Sequence, residues 1–274
     1  MVSYILRRKG YGEGLVDVAL FTKTGLTLET AETQPQEAEY CFRWGCTANV
    51  YARKIINSAE SIHRIYDKVG FRRTLNAEGL CPKSWFSMAE ALDSGVWPLL
   101  VRKNNHSRSE DMYVCNSMLE LAEICETLGK GNYYISEIIQ KEHEYRVMYV
   151  QGRVIGVIEK RPRDKKAISW GCVVEGEYDY IAWDDWPLEM IEVAMKAADL
   201  SGGDFGAIDI ISDRNGHYVL EINSACWLSP YFCKIFVQAF DYIVKNGMKK
   251  IPRETDKGYR GYIHPSRPLA AGVH

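Results

Sequence analysis

Three oxygen-bearing side chains near the end of the chain have a spacing that suits a divalent cation. In Tyr218-Val219-Leu220-Glu221-Ile222-Asn223, apolar and polar residues alternate as in a strand. A period of two puts Glu221 and Asn223 on one face, with Leu220 and Ile222 on the other. The run Gly206-Ala207-Ile208-Asp209-Ile210-Ile211 reads as a second strand, and Asp213–Gly216 supplies a turn between them. With a turn of about five residues centred on Arg214-Asn215, Asp209 would sit opposite Glu221. Two carboxylates and an amide oxygen then meet at the end of a sheet, a set of hard ligands that suits Mg²⁺ with phosphate and water completing its shell. The same residues also fit the solvent-facing side of an amphipathic hairpin. Adjacent carboxylates repel unless a cation joins them, which favours the metal.

The segment Phe205-Gly206-Ala207-Ile208-Asp209-Ile210, continued by Tyr218 to Ser224, resembles the metal-binding end of ATP-grasp enzymes. Close relatives within that family are the D-alanine–D-alanine ligases and the enzymes that add glutamate to ribosomal-protein C-termini. The resemblance implies that Asp209, Glu221 and Asn223 hold Mg²⁺ on ATP, with Mn²⁺ able to substitute. Upstream, Asp67-Lys68 followed by Gly79-Leu80 is similar to the opening of the ATP-grasp domain, which assigns Lys68 to nucleotide phosphate. Trp97-Pro98-Leu99-Leu100-Val101-Arg102 is similar to the strand that ends in a second phosphate-binding lysine. Arg102 stands there instead, keeping the charge and changing its geometry.

The segment Tyr134 to Ile139, followed by Glu144-Tyr145-Arg146-Val147, resembles the hinge between the two lobes of the family. The likeness implies that Glu137, Ile138 and Ile139 meet adenine and that Glu144 takes the ribose hydroxyls. Lys160-Arg161 ends a strand where relatives carry basic groups facing the transferred phosphate. Arg161 is assigned that role, with Lys160 and Arg163 as competitors. The loop expected over the phosphates, Asn104 to Asp111, contains no glycine, so His106, Ser107 and Arg108 would have to donate from their side chains. Arg43-Trp44-Gly45 resembles a motif of small, often phage-borne members.

These residues need elements to hold them. Tyr4–Leu6, Val16–Phe21 and Tyr40–Trp44 read as strands of a small N-terminal α/β domain, residues 1–57. Ile62, Ile65, Tyr66, Val69 and Leu75 predict one helix over 58–76. Strands follow at Trp97–Arg102, Met112–Val114, Tyr133–Ile139, Tyr145–Val150 and Val154–Glu159, with helices at Met118–Leu128, Leu188–Ala198 and Phe232–Val244. The order is mixed α+β with several hairpins rather than a regular βαβ series. The resemblance turns this into an ATP-grasp fold, with lobes at 58–136 and 137–250 holding ATP between them and a tail at 251–274.

The 274 residues are 46% hydrophobic and 26% charged, an ordinary globular composition. With 34 basic and 36 acidic residues the net charge is −2, which disfavours a nucleic-acid partner. No apolar run is long enough to span a bilayer, and the basic Arg7-Arg8-Lys9 follows rather than precedes a short apolar stretch, unlike a signal peptide. The eight cysteines are scattered without metal-like spacing, and Cys226 reads as packing. The cytoplasm is the expected compartment. The resemblance implies an ATP-dependent ligase that converts a carboxylate, on a small molecule or peptide, into an acyl phosphate and passes it to an amine. Lys68, Arg102 and Arg161 would serve catalysis. Two alternatives stay open, a kinase of hydroxyl groups and an inert nucleotide-binding module.

Overall fold

Three sheets organise the chain, each fed by its own stretch of sequence. The computed structural model describes residues 2–9, 24–104, 111–162, 164–168, 170, 176–181, 185–226 and 230–247. The first sheet is parallel, with β1 (Ser3–Arg7), β2 (Leu26–Glu29), β3 (Ala38–Trp44) and β4 (Ala52–Ile56) in the order β2-β1-β3-β4. The expected strand Val16–Phe21 lies outside the described residues, as do the tail from 248 and the phosphate-loop residues 105–110.

Two helices follow instead of the single one expected, α1 (Ala59–Tyr66) and α2 (Lys68–Ala77). Asp67 makes the break. Its backbone N–H donates to His63 and closes α1, while its side chain accepts from the Gly70 N–H (3.1 Å) and caps α2. The apolar period runs through the break because both helices bury the same side, through Ile62, Ile65, Val69 and Leu75.

The second sheet is antiparallel, with β5 (Ser84–Trp85), β6 (Leu99–Lys103), β7 (Met112–Cys115) and β8 (Tyr133–Glu137) in the order β5-β8-β6-β7. Helices α3 (Met88–Asp93) and α4 (Met118–Leu128) cover it over a core that includes Leu99, Val101, Leu121 and Ile135. Both helices begin at a serine whose hydroxyl accepts from the third residue on, Ser87 from Glu90 and Ser117 from Glu120.

The third sheet comprises β9 (His143–Val150), β10 (Arg153–Pro162), β11 (Gly176–Ile181), β12 (Phe205–Asp213) and β13 (Gly216–Asn223) in the order β11-β10-β9-β12-β13. Helix α5 (Leu188–Ser201) packs on one face, with Met190, Ala194 and Ala197 against Val147, Ile208 and Val219. Ile65, Phe71 and Leu75 join the same core, so α1 and α2 lie against the third sheet. Helix α6 (Pro230–Asn246) serves the opposite face and shares a core with the first sheet. Phe42 stacks on Phe240 with centroids 4.2 Å apart, and Trp44 stacks on Phe205 at 5.4 Å. The first sheet is thereby fastened to the third by aromatic packing. Among the described residues, no helix is long and apolar enough to cross a membrane.

Candidate active site

The strand register of the third sheet lines charged side chains up on one face. Lys160 on β10 lies opposite Glu144 on β9, Arg146 on β9 opposite Asp209 on β12, and Asp209 opposite Glu221 on β13. Directly paired residues share a face, so four neighbouring strands contribute to one row. Arg146 grips Asp209 with two bonds, Nε to Oδ1 at 2.8 Å and Nη2 to Oδ2 at 2.9 Å. Lys160 Nζ lies 2.7 Å from Glu144 Oε1 and 3.4 Å from Asp209 Oδ1. Lys141 donates to the other Glu144 oxygen at 2.6 Å, and its ammonium sits 4.6 Å from the centre of the Trp170 ring. From α2, Lys68 Nζ reaches Glu221 Oε2 at 2.5 Å, while Asn223 Nδ2 donates to Glu221 Oε1 at 3.2 Å.

Burial sharpens these interactions. The side chains of Lys141, Glu144, Lys160 and Asp209 are all less than a tenth exposed. Burial alone would push the Asp209 carboxyl up, but Arg146 and then Lys160 overcome it and hold the group below the usual carboxylate range. Burial lowers the Lys141 ammonium in spite of Glu144 beside it. Four cations, Lys68, Lys141, Arg146 and Lys160, thus face three carboxylates, Glu144, Asp209 and Glu221. The excess of positive charge suits an anionic guest.

The residues singled out from sequence fall into distinct places. Asp209, Glu221 and Asn223 come together on the face that period two predicts, and Lys68 joins them from α2. Glu144 is in the same row, with one oxygen held by Lys141 and the other by Lys160. Glu137 ends β8 and accepts from the Lys83 N–H at 2.7 Å, and Ile138 and Ile139 form the half-buried link from the second sheet to the third. Arg102 lies on β6 beside Tyr134 of β8, its Nε buried without a hydrogen-bond partner. Arg161 does not join the row. It is exposed and pairs with Asp179, because consecutive strand residues point to opposite faces, and Lys160 takes the inward position instead. His106, Ser107, Arg108 and Arg163 lie outside the described residues.

Sequence reasoning passed over Lys141 and Arg146. Arg146 was legible, since Glu144 and Arg146 are two apart on one strand and must share a face. Lys141 stands before β9, where no period applies.

The donor set fits a divalent cation carried on phosphate. Among the described residues no group of three or more His, Cys, Asp or Glu side chains forms a metal cage. Two carboxylates and an amide are what Mg²⁺ takes when substrate phosphates supply further ligands. The orphaned Arg102 Nε and the lysines held on Asp209, Glu144 and Glu221 are matching partners for those phosphates.

The profile of the RimK-like ATP-grasp domain matches residues 89–239, a span that takes in β6, β7 and β8 of the second sheet and the charged residues of β9, β10, β12 and β13. The chain belongs to the RimK-like ATP-grasp family. As a member of it, the chain is an ATP-dependent ligase. No curated protein matches it in sequence. Solved structures share the fold at low identity. The ATP-grasp ligase PsnB, complexed with a phosphomimetic variant of a minimal precursor, Mg and ADP, is 12% identical with a TM-score of 0.65, covering 86% of this chain and 96% of its own. D-alanine–D-alanine ligase from Bacillus anthracis, complexed with ATP, is 15% identical with a TM-score of 0.58, covering 82% and 86%. The macrocyclase MdnC from Microcystis aeruginosa MRC, bound with precursor peptide MdnA, is 14% identical with a TM-score of 0.62, covering 90% and 100%. The expected ATP-grasp fold is the fold of this chain.

Proposed function

We propose that this ligase activates a carboxylate on an amino acid or peptide as an acyl phosphate and joins it to an amine. The observation that carries the reading is the charged row of β9, β10, β12 and β13, with Lys68 reaching into it from α2. Asp209, Glu221 and Asn223 are the groups that would hold Mg²⁺, and Lys68, Arg102 and Lys160 those that would meet phosphate oxygens. When bound, Mg²⁺–ATP supplies the phosphoryl group that makes the carboxylate a mixed anhydride.

The protein's own part is positioning and charge neutralisation. Arg146 fixes Asp209 from both oxygens, so this carboxylate stays ionised and in place. Lys141 neutralises Glu144 from the far side, which leaves Lys160 less tightly bound to it and able to turn to a phosphate oxygen. In the lobe arrangement we adopt, the second sheet and the third close on the nucleotide across the Glu137–Ile139 link. The first sheet, packed on the third sheet through α6, would present the substrate. The similarity to ligases solved with precursor peptides favours a peptide substrate.

The test is a product analysis with Mg-ATP and a panel of amino acids and carboxylate-bearing peptides. ADP, inorganic phosphate and a new amide bond in equal amounts are expected. A stable phosphate ester without free phosphate would identify a hydroxyl kinase, and AMP with pyrophosphate an adenylating enzyme; each overturns the reading.

A further inference from the structure

Arg72 is buried and, among the described residues, has no carboxylate partner. Its guanidinium is spent on two backbone carbonyls and one tyrosine hydroxyl. Nη1 donates to the Val219 carbonyl at 3.2 Å, and Nη2 to the Leu220 carbonyl at 2.6 Å and to Tyr134 Oη at 3.3 Å. The guanidinium carbon also lies 4.8 Å from the centre of the Tyr134 ring. Burying a cation without an anion is costly, so its presence calls for a geometric return.

The carbonyls it holds sit where β13 departs from regular pairing. Asp209 opposes Glu221 while Ile210 opposes Val219, so Leu220 is an extra, unpaired residue and β13 carries a bulge there. The bulge changes the parity of the strand. Val219 and Ile222, three apart, both enter the core with α5, and Glu221 and Asn223 keep the opposite face. Without it, a strict period of two would put Val219 on the face of Glu221. Strand β13 is also an edge of its sheet, and the segment beginning with α2 covers that edge. The Val219 N–H donates to the Leu80 carbonyl at 2.7 Å, and Lys68, one turn before Arg72, holds the Glu221 carboxylate.

We propose that Arg72 is a positioning residue of the ligase: it clamps the bulge at Leu220 and thereby fixes Glu221 beside Asp209 for the divalent cation. This rests on the reading that Glu221 and Asp209 hold the metal. Tyr134 on β8 supports the guanidinium, so the clamp also ties the second sheet to the metal strand. Lysine cannot replace it, because one ammonium does not span two carbonyls and lie flat on a ring.

Binding of Mn²⁺ in the presence of ADP, followed by electron paramagnetic resonance of the free ion, tests the clamp without turnover. Arg72→Lys, Arg72→Met and Tyr134→Phe are compared with the wild type and with Arg73→Met, an exposed neighbour whose side chain lies over Phe86. Arg72→Lys should fold and bind Mn²⁺ about tenfold more weakly, with metal-free ADP affinity unchanged. Tyr134→Phe should shift binding the same way by less, and Arg73→Met should not shift it. Should Arg72→Met fail to fold, Arg72→Lys and Tyr134→Phe decide the matter. A folded Arg72→Lys that binds Mn²⁺ like the wild type overturns the clamp, as does an equal loss in Arg73→Met. A wild type that binds ADP but no Mn²⁺ instead overturns the metal reading beneath it.

Discussion

Lys160 and Arg161 are neighbours in sequence and face opposite sides of β10, one among buried carboxylates and the other in solvent. The dipeptide itself does not say which is which. All of Val154–Ile158 is buried, and the strand pairing shifts between Val154 and Gly156, so neither polarity nor simple counting fixes the parity. Substitutions separate them. Lys160→Gln should lower kcat/KM about a hundredfold or more, the usual cost of losing a charge that faces developing phosphate charge. Arg161→Gln should lower it less than about fivefold, because an exposed ion pair contributes little. Equal losses in steady-state kinetics would contradict the assignment. Glu144 gives a second test. Its removal takes the nearest carboxylate from two buried ammonium groups, leaving Lys141 with the Ile168 carbonyl and the Trp170 ring and Lys160 with the longer contact to Asp209. Glu144→Ala should therefore destabilise the fold by about 3 kcal/mol in urea unfolding, in addition to any loss of nucleotide affinity. A loss of affinity with unchanged stability would mean that the lysines find other partners.

Between elements, the decisive residue is Asn57, wholly buried at the end of β4 in a left-handed backbone conformation (φ 64°). Its side-chain oxygen accepts from the N–H groups of Asp204 and Phe205, its amide donates to the Phe205 carbonyl, and its own N–H donates to Asp204. Asn57→Ala would leave buried backbone groups unpaired at the junction of the first and third sheets, costing about 3 kcal/mol or more by denaturant titration. Burial raises the Asp204 pKa despite the donors Asn57 and Gln151. A carboxyl raised on folding binds its proton more tightly in the native state, so its stabilising contribution is present below about pH 4 and fades as pH rises through the native value. The stability of the wild type minus that of Asp204→Asn should therefore fall as pH rises from about 4, and a rising difference would contradict it. The sequence makes β9 and β13 readable because their polar residues, Glu144 and Arg146 or Glu221 and Asn223, recur at period two against an apolar background. It hides junctions of this kind, since one asparagine between two elements has no period. It also hides β4, where Ala-Arg-Lys-Ile-Ile mixes polar and apolar residues on an edge, and the break at Asp67, where two helices bury one continuous stripe.

Over the whole molecule, one chemical point decides the mechanism, the group that carries the activated carboxylate. The third sheet and α2 bring Lys68, Lys160, Asp209, Glu221 and Asn223 into one charged row, and among these described residues no Ser, Thr or Cys nucleophile stands. Cys226, the nearest thiol along the chain, is buried, and burial pushes it up to about 12, far from a reactive thiolate. In the proposed mechanism activation passes through the substrate's own acyl phosphate, an electrophile that hydroxylamine would intercept. The direct measurement is hydroxamate formation with a carboxylate substrate, Mg-ATP and hydroxylamine in place of the amine. The account predicts hydroxamate in step with ADP and phosphate, dependent on ATP and Mg²⁺, and abolished in Glu221→Gln, which keeps its fold because Glu221 sits at a partly open position. Ligation without hydroxamate, or hydroxamate accompanied by AMP and pyrophosphate, would contradict it.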